Sequence, residues 1–294
     1  MNFQGNFHKL HLIYIPFTGV GLHEGFRGDD WYYYRVNIFR KYTLKSLQNQ
    51  SNRNFTLWLS FRPQEKDNPI TEKLRQILDQ SKIPFVITFE GLMYYDDKFS
   101  SSKIIINILR VLRDFYRKKI FNIYSLKELW YNKNRTLLDR LARSLSSFEF
   151  IKNDWIYVTR IDSDDMFGDW MINDIQQVKP FEGAISYKNG YIFDKTSQKL
   201  ADWNPTTNPP FHTIIFKRDT FLSPRKHLKY FGKFRSHEDI PKVFDTKWSE
   251  KRFYCVLAHD MKNQISTIWN HPFKGREYAQ EEKEEILKQF GIVH

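Results

Sequence analysis

Asp162-Ser163-Asp164-Asp165 sets three carboxylates within four residues, directly after the apolar run of residues 155–161. Crowded acids repel one another unless a cation or hydrogen-bond donors neutralise them, and a divalent metal is the economical neutraliser. An EF-hand is excluded, because its fifth position would be Met166 and Gly168 falls one place late for the turn. The competing reading is a solvated loop that caps the next helix. Arg160, just before the cluster, stands either to meet an anion or to pair with Asp162, and pairing is the ordinary outcome. A second acidic pair, Glu238-Asp239, follows Ser236-His237 and precedes an apparent helix, where acids also serve the helix N-terminus.

The surrounding pattern says where these groups would sit. Short apolar or β-branched runs at residues 11–17, 55–61, 84–89 and 155–161 predict strands. Helical patterns at 33–50, 71–81 and 135–148 separate them, the last with Leu137, Leu138, Leu141 and Leu145 on one face. This alternation predicts an α/β fold with a mostly parallel sheet. The acidic cluster then lies at the C-terminal edge of the fourth strand, where open α/β sheets bind ligands. Asn189-Gly190, between residues 184–187 and 191–193, predicts a β-hairpin and hence a mixed sheet in the second half. Pro205, Pro209 and Pro210 punctuate a loop before a strand at 212–216, and residues 277–289 read as a charged surface helix.

At 294 residues, with 41% hydrophobic and 17% aromatic residues, the chain can bury a sizeable core and is not disordered. A mean hydropathy of -0.60 indicates a polar surface. Cys255 is the single cysteine, and no Cys/His spacing of a zinc site occurs, which excludes an internally stapled scaffold. The apolar run at 10–17 is too short for a signal or spanning segment, so a cytoplasmic protein is expected and the three glycosylation sequons carry no weight. Formal charge is +12, and residues 103–143 hold eleven Lys/Arg against three Asp/Glu, a local excess of 11 − 3 = +8. That concentration implies an anionic partner or surface. In helical projection, residues 103–117 collect Lys103, Arg110, Arg113, Asp114 and Arg117 on one arc opposite a broad apolar face, as in a core helix or an interfacial one.

Thr159-Arg160-Ile161-Asp162-Ser163-Asp164-Asp165 resembles the strand-to-Asp-x-Asp junction of glycosyltransferase-A enzymes, especially the putative rhamnosyltransferase family. Residues 35–50, with Leu44-Lys45-Ser46-Leu47-Gln48-Asn49-Gln50, followed by Phe55-Thr56-Leu57-Trp58, are similar to that family's first helix and second strand. The resemblance implies one domain over 1–294. Its Rossmann-like nucleotide-binding half is 1–165, with a basic helical insertion at about 103–134, and its mixed-sheet acceptor half is 166–294. It further implies a nucleotide-sugar donor whose two phosphates are bridged by a divalent ion, Mn²⁺ or Mg²⁺, acting as Lewis acid. Asp164 is the implied metal ligand, Asp162 meets the ribose or shares the metal, and Ser163 leaves room for phosphate. Pro16, Phe17 and Thr18 border the donor's base, Arg62 stands where relatives carry an acid, and Arg160 is a donor-side candidate. His271 lies where related enzymes place a third metal ligand, with His259 or His212 as near equivalents. Asp239, with Glu238, matches the pair that supplies the base of inverting members. Phe211-His212-Thr213 resembles an acceptor-side strand, and Tyr191 and Trp203 are candidates to stack on an acceptor sugar.

The expected function is therefore a metal-dependent, inverting glycosyltransferase, rhamnose being the sugar of the family's name. Its acceptor would be a surface glycan or lipid-linked glycan, with peripheral contact at the inner face of an anionic membrane. A nucleotidyltransferase would also use clustered acids but lacks a Gly-rich triphosphate loop here. An NADP enzyme is disfavoured because the third glycine after Gly19 and Gly21 is a residue late. A nucleic-acid-binding protein would interleave its basic residues with strand aromatics, which these do not do, so no nucleic acid is expected as a partner.

Overall fold

The computed structural model describes residues 8–17, 28–61, 65–89, 152–222, 237–259, 269 and 271–292. Its framework is a seven-stranded sheet ordered β10-β6-β9-β4-β1-β2-β3. The central strands β1 (Lys9–Pro16), β2 (Thr56–Ser60), β3 (Phe85–Thr88) and β4 (Trp155–Arg160) run parallel. β9 (His212–Lys217) is antiparallel to both β4 and β6 (Gly183–Tyr187), and β10 (Thr246–Ser249) runs parallel with β6. Alternation along β1 shows why both faces need cover. Ile13 and Ile15 enter the core beneath the long helices, while Leu10, Leu12 and Tyr14 join a second core with Phe221 and Ile240. The α/β expectation therefore holds, and its four central strands fall within a residue or two of the predicted spans.

The helix at 33–50 is three pieces in one run: α1 (Asp29–Ile38), a π turn (Phe39–Thr43) and α2 (Leu44–Gln48). α3 (Pro69–Ser81) begins earlier than predicted because the Asn68 side chain accepts from Ile70 N at 2.8 Å and proline is tolerated at the first position. Tyr32 joins α1 to α3 through Thr71 at 2.6 Å.

A second sheet, ordered β12-β8-β7-β11-β5, supplies the mixed half. It contains β5 (Met166–Phe167), β7 (Gly190–Asp194), β8 (Lys199–Trp203), β11 (Tyr254–Ala258) and β12 (Lys274–Glu277). The C-terminal helix Gln280–Gln289 covers it with Leu287, which packs with Phe290 against Met166, Phe193 and Leu257.

Here one prediction is corrected. β6 and β7 do not pair across Asn189-Gly190, because β6 belongs to the first sheet and β7 to the second. Gly190 is required for packing instead: a Cβ there would lie 2.3 Å from the Tyr254 ring. The hairpin that does form joins β7 to β8. Its turn is closed by Asp194, which accepts from Thr196 N at 2.9 Å and Ser197 Oγ at 2.6 Å, with Gln198 left-handed at φ 56°. Residues 103–148, with the basic segment and the predicted leucine-faced helix, lie outside the described residues, as do Thr18 and Arg62. Among the described residues no helix is long and apolar enough to cross a membrane.

Candidate active site at the edge of the parallel strands

The C-terminal ends of β1, β4 and β6 and the start of β9 meet at one sheet edge. Tyr14 is opposite Arg160 in the β1–β4 ladder, Thr159 opposite Thr213 in β4–β9, and Ser186 opposite His212 in β6–β9. Pro16 ends β1 there, and the acidic cluster leaves β4 through a turn in which Asp165 N donates to Asp162 O at 3.2 Å.

The three aspartates have separate surroundings. Asp162 faces outward, its side chain 34% exposed, and its Oδ1 accepts from Arg160 Nη2 at 2.8 Å and Nε at 3.2 Å. Asp164 is buried, with its side chain 3% exposed; it pairs with Arg35 of α1 and accepts from His259 Nε2 at 3.0 Å. Burial alone would raise its pKa, but the Arg35 charge and the His259 hydrogen bond win and hold it at about 2. Asp165 accepts from Leu257 N at 3.1 Å; burial, and after it the charges of Asp164 and Asp162, push its carboxyl well above the usual range.

His259 reaches Asp164 because β11 pairs antiparallel with β5, Cys255 opposite Met166, so the chain beyond Leu257 runs back along the acidic turn. Its other nitrogen faces Tyr34 Oη at 3.4 Å, and Lys195 Nζ donates to that oxygen at 3.4 Å. The polar chain Lys195, Tyr34, His259, Asp164 fixes the imidazole, as outer-shell partners fix metal-bound histidines.

The helix motif carries the other half of the positioning. Gln50, buried at the end of the motif, donates to Gly168 O at 2.8 Å and accepts from Ile172 N at 3.1 Å. Ser46 Oγ accepts from Phe167 N at 3.1 Å. Ser46 and Gln50 of Leu44-Lys45-Ser46-Leu47-Gln48-Asn49-Gln50 thus grip the chain directly after the cluster, which accounts physically for their types and spacing.

On the β9 side, Asn208 clamps the turn His237–Asp239. Its side-chain amide donates to His237 O at 2.6 Å, and its backbone carbonyl accepts from His237 Nδ1 at 2.5 Å. Ser186 Oγ in turn donates to Asn208 Oδ1 at 2.5 Å. Asp239 Oδ1 accepts from Lys242 Nζ at 2.8 Å, and Glu238 is exposed.

Several expected residues are placed differently. Phe17 is core, its ring packed among Tyr32, Phe39 and Phe61, so it offers no face to a donor base. His271 lies against Trp203 and Phe273 rather than beside the aspartates; His259 takes the position beside Asp164. Among the described residues no group of three or more His, Cys, Asp or Glu is gathered that could hold a metal ion. Trp203, 7% exposed, and Tyr191, between Tyr278 and Phe290, serve packing in the second sheet, the usual role of strand aromatics. His212 is fully buried, and burial, followed by the charges of Arg160 and His237, keeps it neutral, so it backs the edge without reaching solvent. Arg35, Asn208 and Ser186 had no sequence signal; they are recognised only once distant strands are paired.

No protein-family model matches the chain, and no curated protein sequence matches it, so the rhamnosyltransferase resemblance rests on the residues quoted for it. Among solved structures the chain is similar to S. aureus TarS 1-349, at 12% identity with a TM-score of 0.39, covering 96% of this chain and 70% of that one.

Proposed function

We propose that this protein is an inverting glycosyltransferase that moves a sugar from a nucleotide-sugar donor to a glycan acceptor. The observation that carries the reading is the gathering at one strand edge of an outward carboxylate, Asp162, a guanidinium, Arg160, and a buried carboxylate–imidazole pair, Asp164 and His259. Open α/β sheets bind nucleotides at such an edge.

Asp164 and His259 would hold a divalent ion, Mn²⁺ or Mg²⁺, the imidazole then carrying its proton on Nδ1 toward Tyr34 and leaving Nε2 as the ligand. When bound, such an ion would supply Lewis-acid stabilisation to a departing diphosphate. Asp162 accepts hydrogen bonds from the donor's ribose hydroxyls, oriented by Arg160, whose charge also favours the diphosphate. Ser163 leaves phosphate room to approach. The acceptor hydroxyl attacks the anomeric carbon from the side of the His237–Asp239 turn, and the electron pair of the breaking bond leaves with the nucleoside diphosphate. The basic segment 103–143 would hold the enzyme beside a lipid-linked acceptor on an anionic membrane, each Lys or Arg near the surface contributing about 1 kcal/mol.

The test is a turnover screen of nucleoside diphosphate sugars of each common base, a rhamnosyl donor included, with Mn²⁺ and with acceptor or water. Release of nucleoside diphosphate with a sugar product of inverted anomeric configuration supports the reading. No transfer in that screen, with formation of a sugar nucleotide and pyrophosphate when a nucleoside triphosphate and a sugar 1-phosphate are supplied instead, would replace it with nucleotidyl transfer.

A further inference from the structure

His237 of the His237–Asp239 turn is held at both its imidazole and its backbone carbonyl by the same residue. Asn208, itself buried, accepts from Nδ1 at 2.5 Å and donates to the His237 carbonyl at 2.6 Å. With its proton committed at Nδ1, a neutral imidazole presents a lone pair at Nε2. That nitrogen makes no hydrogen bond among the described residues and is not among the fully buried polar atoms. The charges that act on it come from Arg160 and Asp162 at the end of β4 and from Glu238 on its own turn; the titratable His212 at the start of β9, itself neutral, also interacts with it. Asp239, by contrast, has an oxygen held by Lys242 at 2.8 Å.

We infer that His237, rather than Asp239, takes the proton of the acceptor hydroxyl, an inference that rests on the sugar-transfer reading above. The acceptor oxygen forms its bond to the anomeric carbon as the bond from that carbon to the diphosphate oxygen breaks. The leaving nucleoside diphosphate keeps the electron pair, and the acceptor proton moves to His237 Nε2. The resulting imidazolium keeps its Nδ1 bond to Asn208, faces the Asp162 carboxylate field, and returns the proton to solvent. Burial and then the Arg160 charge lower the His237 pKa below its ordinary value, so the base is unprotonated at neutral pH.

The decisive experiment compares pH–rate profiles of wild type, His237→Asn and Asp239→Asn with the best donor from the sugar-nucleotide panel. Asparagine at 237 keeps a donor for the Asn208 carbonyl but has no basic nitrogen. His237→Asn is expected to lower kcat by about 10²–10⁴-fold with nucleoside diphosphate affinity unchanged, and to lose the acid limb that wild type shows below its histidine pKa. Asp239→Asn keeps that limb. If His237→Asn proves unstable, His237→Ala with added imidazole serves, partial rescue being the expected result and no rescue the contrary one. An acid limb that survives in His237→Asn and disappears in Asp239→Asn returns the proton to Asp239. Wild type that transfers sugar while His237→Asn is unaffected overturns this inference alone; wild type that transfers no sugar from any donor overturns both readings.

Discussion

Arg35 is the residue on which the charge balance of the acidic turn depends. It brings a guanidinium to a carboxylate whose side chain is 3% exposed, and removing one partner of a buried pair typically costs about 3–5 kcal/mol. Arg35→Met should therefore destabilise the metal-free protein by that order in chemical denaturation. Mn²⁺ should restore part of the loss, giving the variant a larger metal-induced rise in Tm than wild type. An equal rise in both proteins would mean that the ion does not settle beside Asp164. Asp164 also sets a pH dependence. Its folded pKa of about 2 lies below the ordinary 3.8, so its contribution to stability is complete above 3.8 and is lost as pH falls through about 2. Asp162, Asp164 and Asp165 were legible in the sequence as a cluster, but their division of labour was not. What separates them is the partner each meets: Arg160 two residues away, Arg35 on the first helix, and Leu257 on a strand that pairs with β5.

Strands β1, β2, β4 and β9 could be read from the sequence because they are buried on both faces and appear as continuous apolar runs, and the half-buried edge strand β3 because it is short and apolar. The second sheet was harder to read for two local reasons. Gly190 looks like a turn glycine but is dictated by the Tyr254 ring, whereas the real turn uses Asp194 and Gln198 and contains no glycine. Gly190→Ala should force that ring, stacked on Phe211 at 4.0 Å, out of place. Overpacking of this kind costs about 1–3 kcal/mol, to be read as a lower midpoint in urea with an unchanged slope. β1 carries a second test in His11, buried between Gln176 at 3.1 Å and Thr159 at 2.6 Å. Burial, helped by Lys9, lowers its pKa to about 3. The unfolded chain then binds a proton that the folded one refuses, so stability is full above about 6.5 and falls as pH drops toward 3. His11→Gln should lessen the loss between pH 7 and pH 5 by up to about 2 kcal/mol, measured by urea unfolding at both pH values. An undiminished loss would assign the pH dependence to His212 and His237, whose pKa values are also lowered.

Across the molecule, the candidate site is assembled from parts far apart in sequence. α1 supplies Arg35, the β4 edge Asp162 and Asp164, the loop before β9 Asn208, and the chain after β11 His259. Long-range strand order decides such meetings, and local periodicity does not encode it; this is why His259 was one of several equivalent histidines until β11 was seen to pair with β5. The distribution of charge was legible directly. With eleven of 46 Lys/Arg in residues 103–143, the protein should co-sediment with phosphatidylglycerol vesicles at low salt and be released at high salt. Absence of binding at low salt would remove the membrane from the proposal. The central claim is that a nucleotide-sugar donor and a divalent ion meet at the acidic edge of β4, and calorimetric titration of nucleoside diphosphates into wild type and Asp164→Asn, each with and without Mn²⁺, tests it most directly. The account predicts Mn²⁺-dependent binding of at least one nucleoside diphosphate to wild type and its loss in an Asp164→Asn protein that remains folded; equal Mn²⁺-dependent affinity in the two proteins would contradict it.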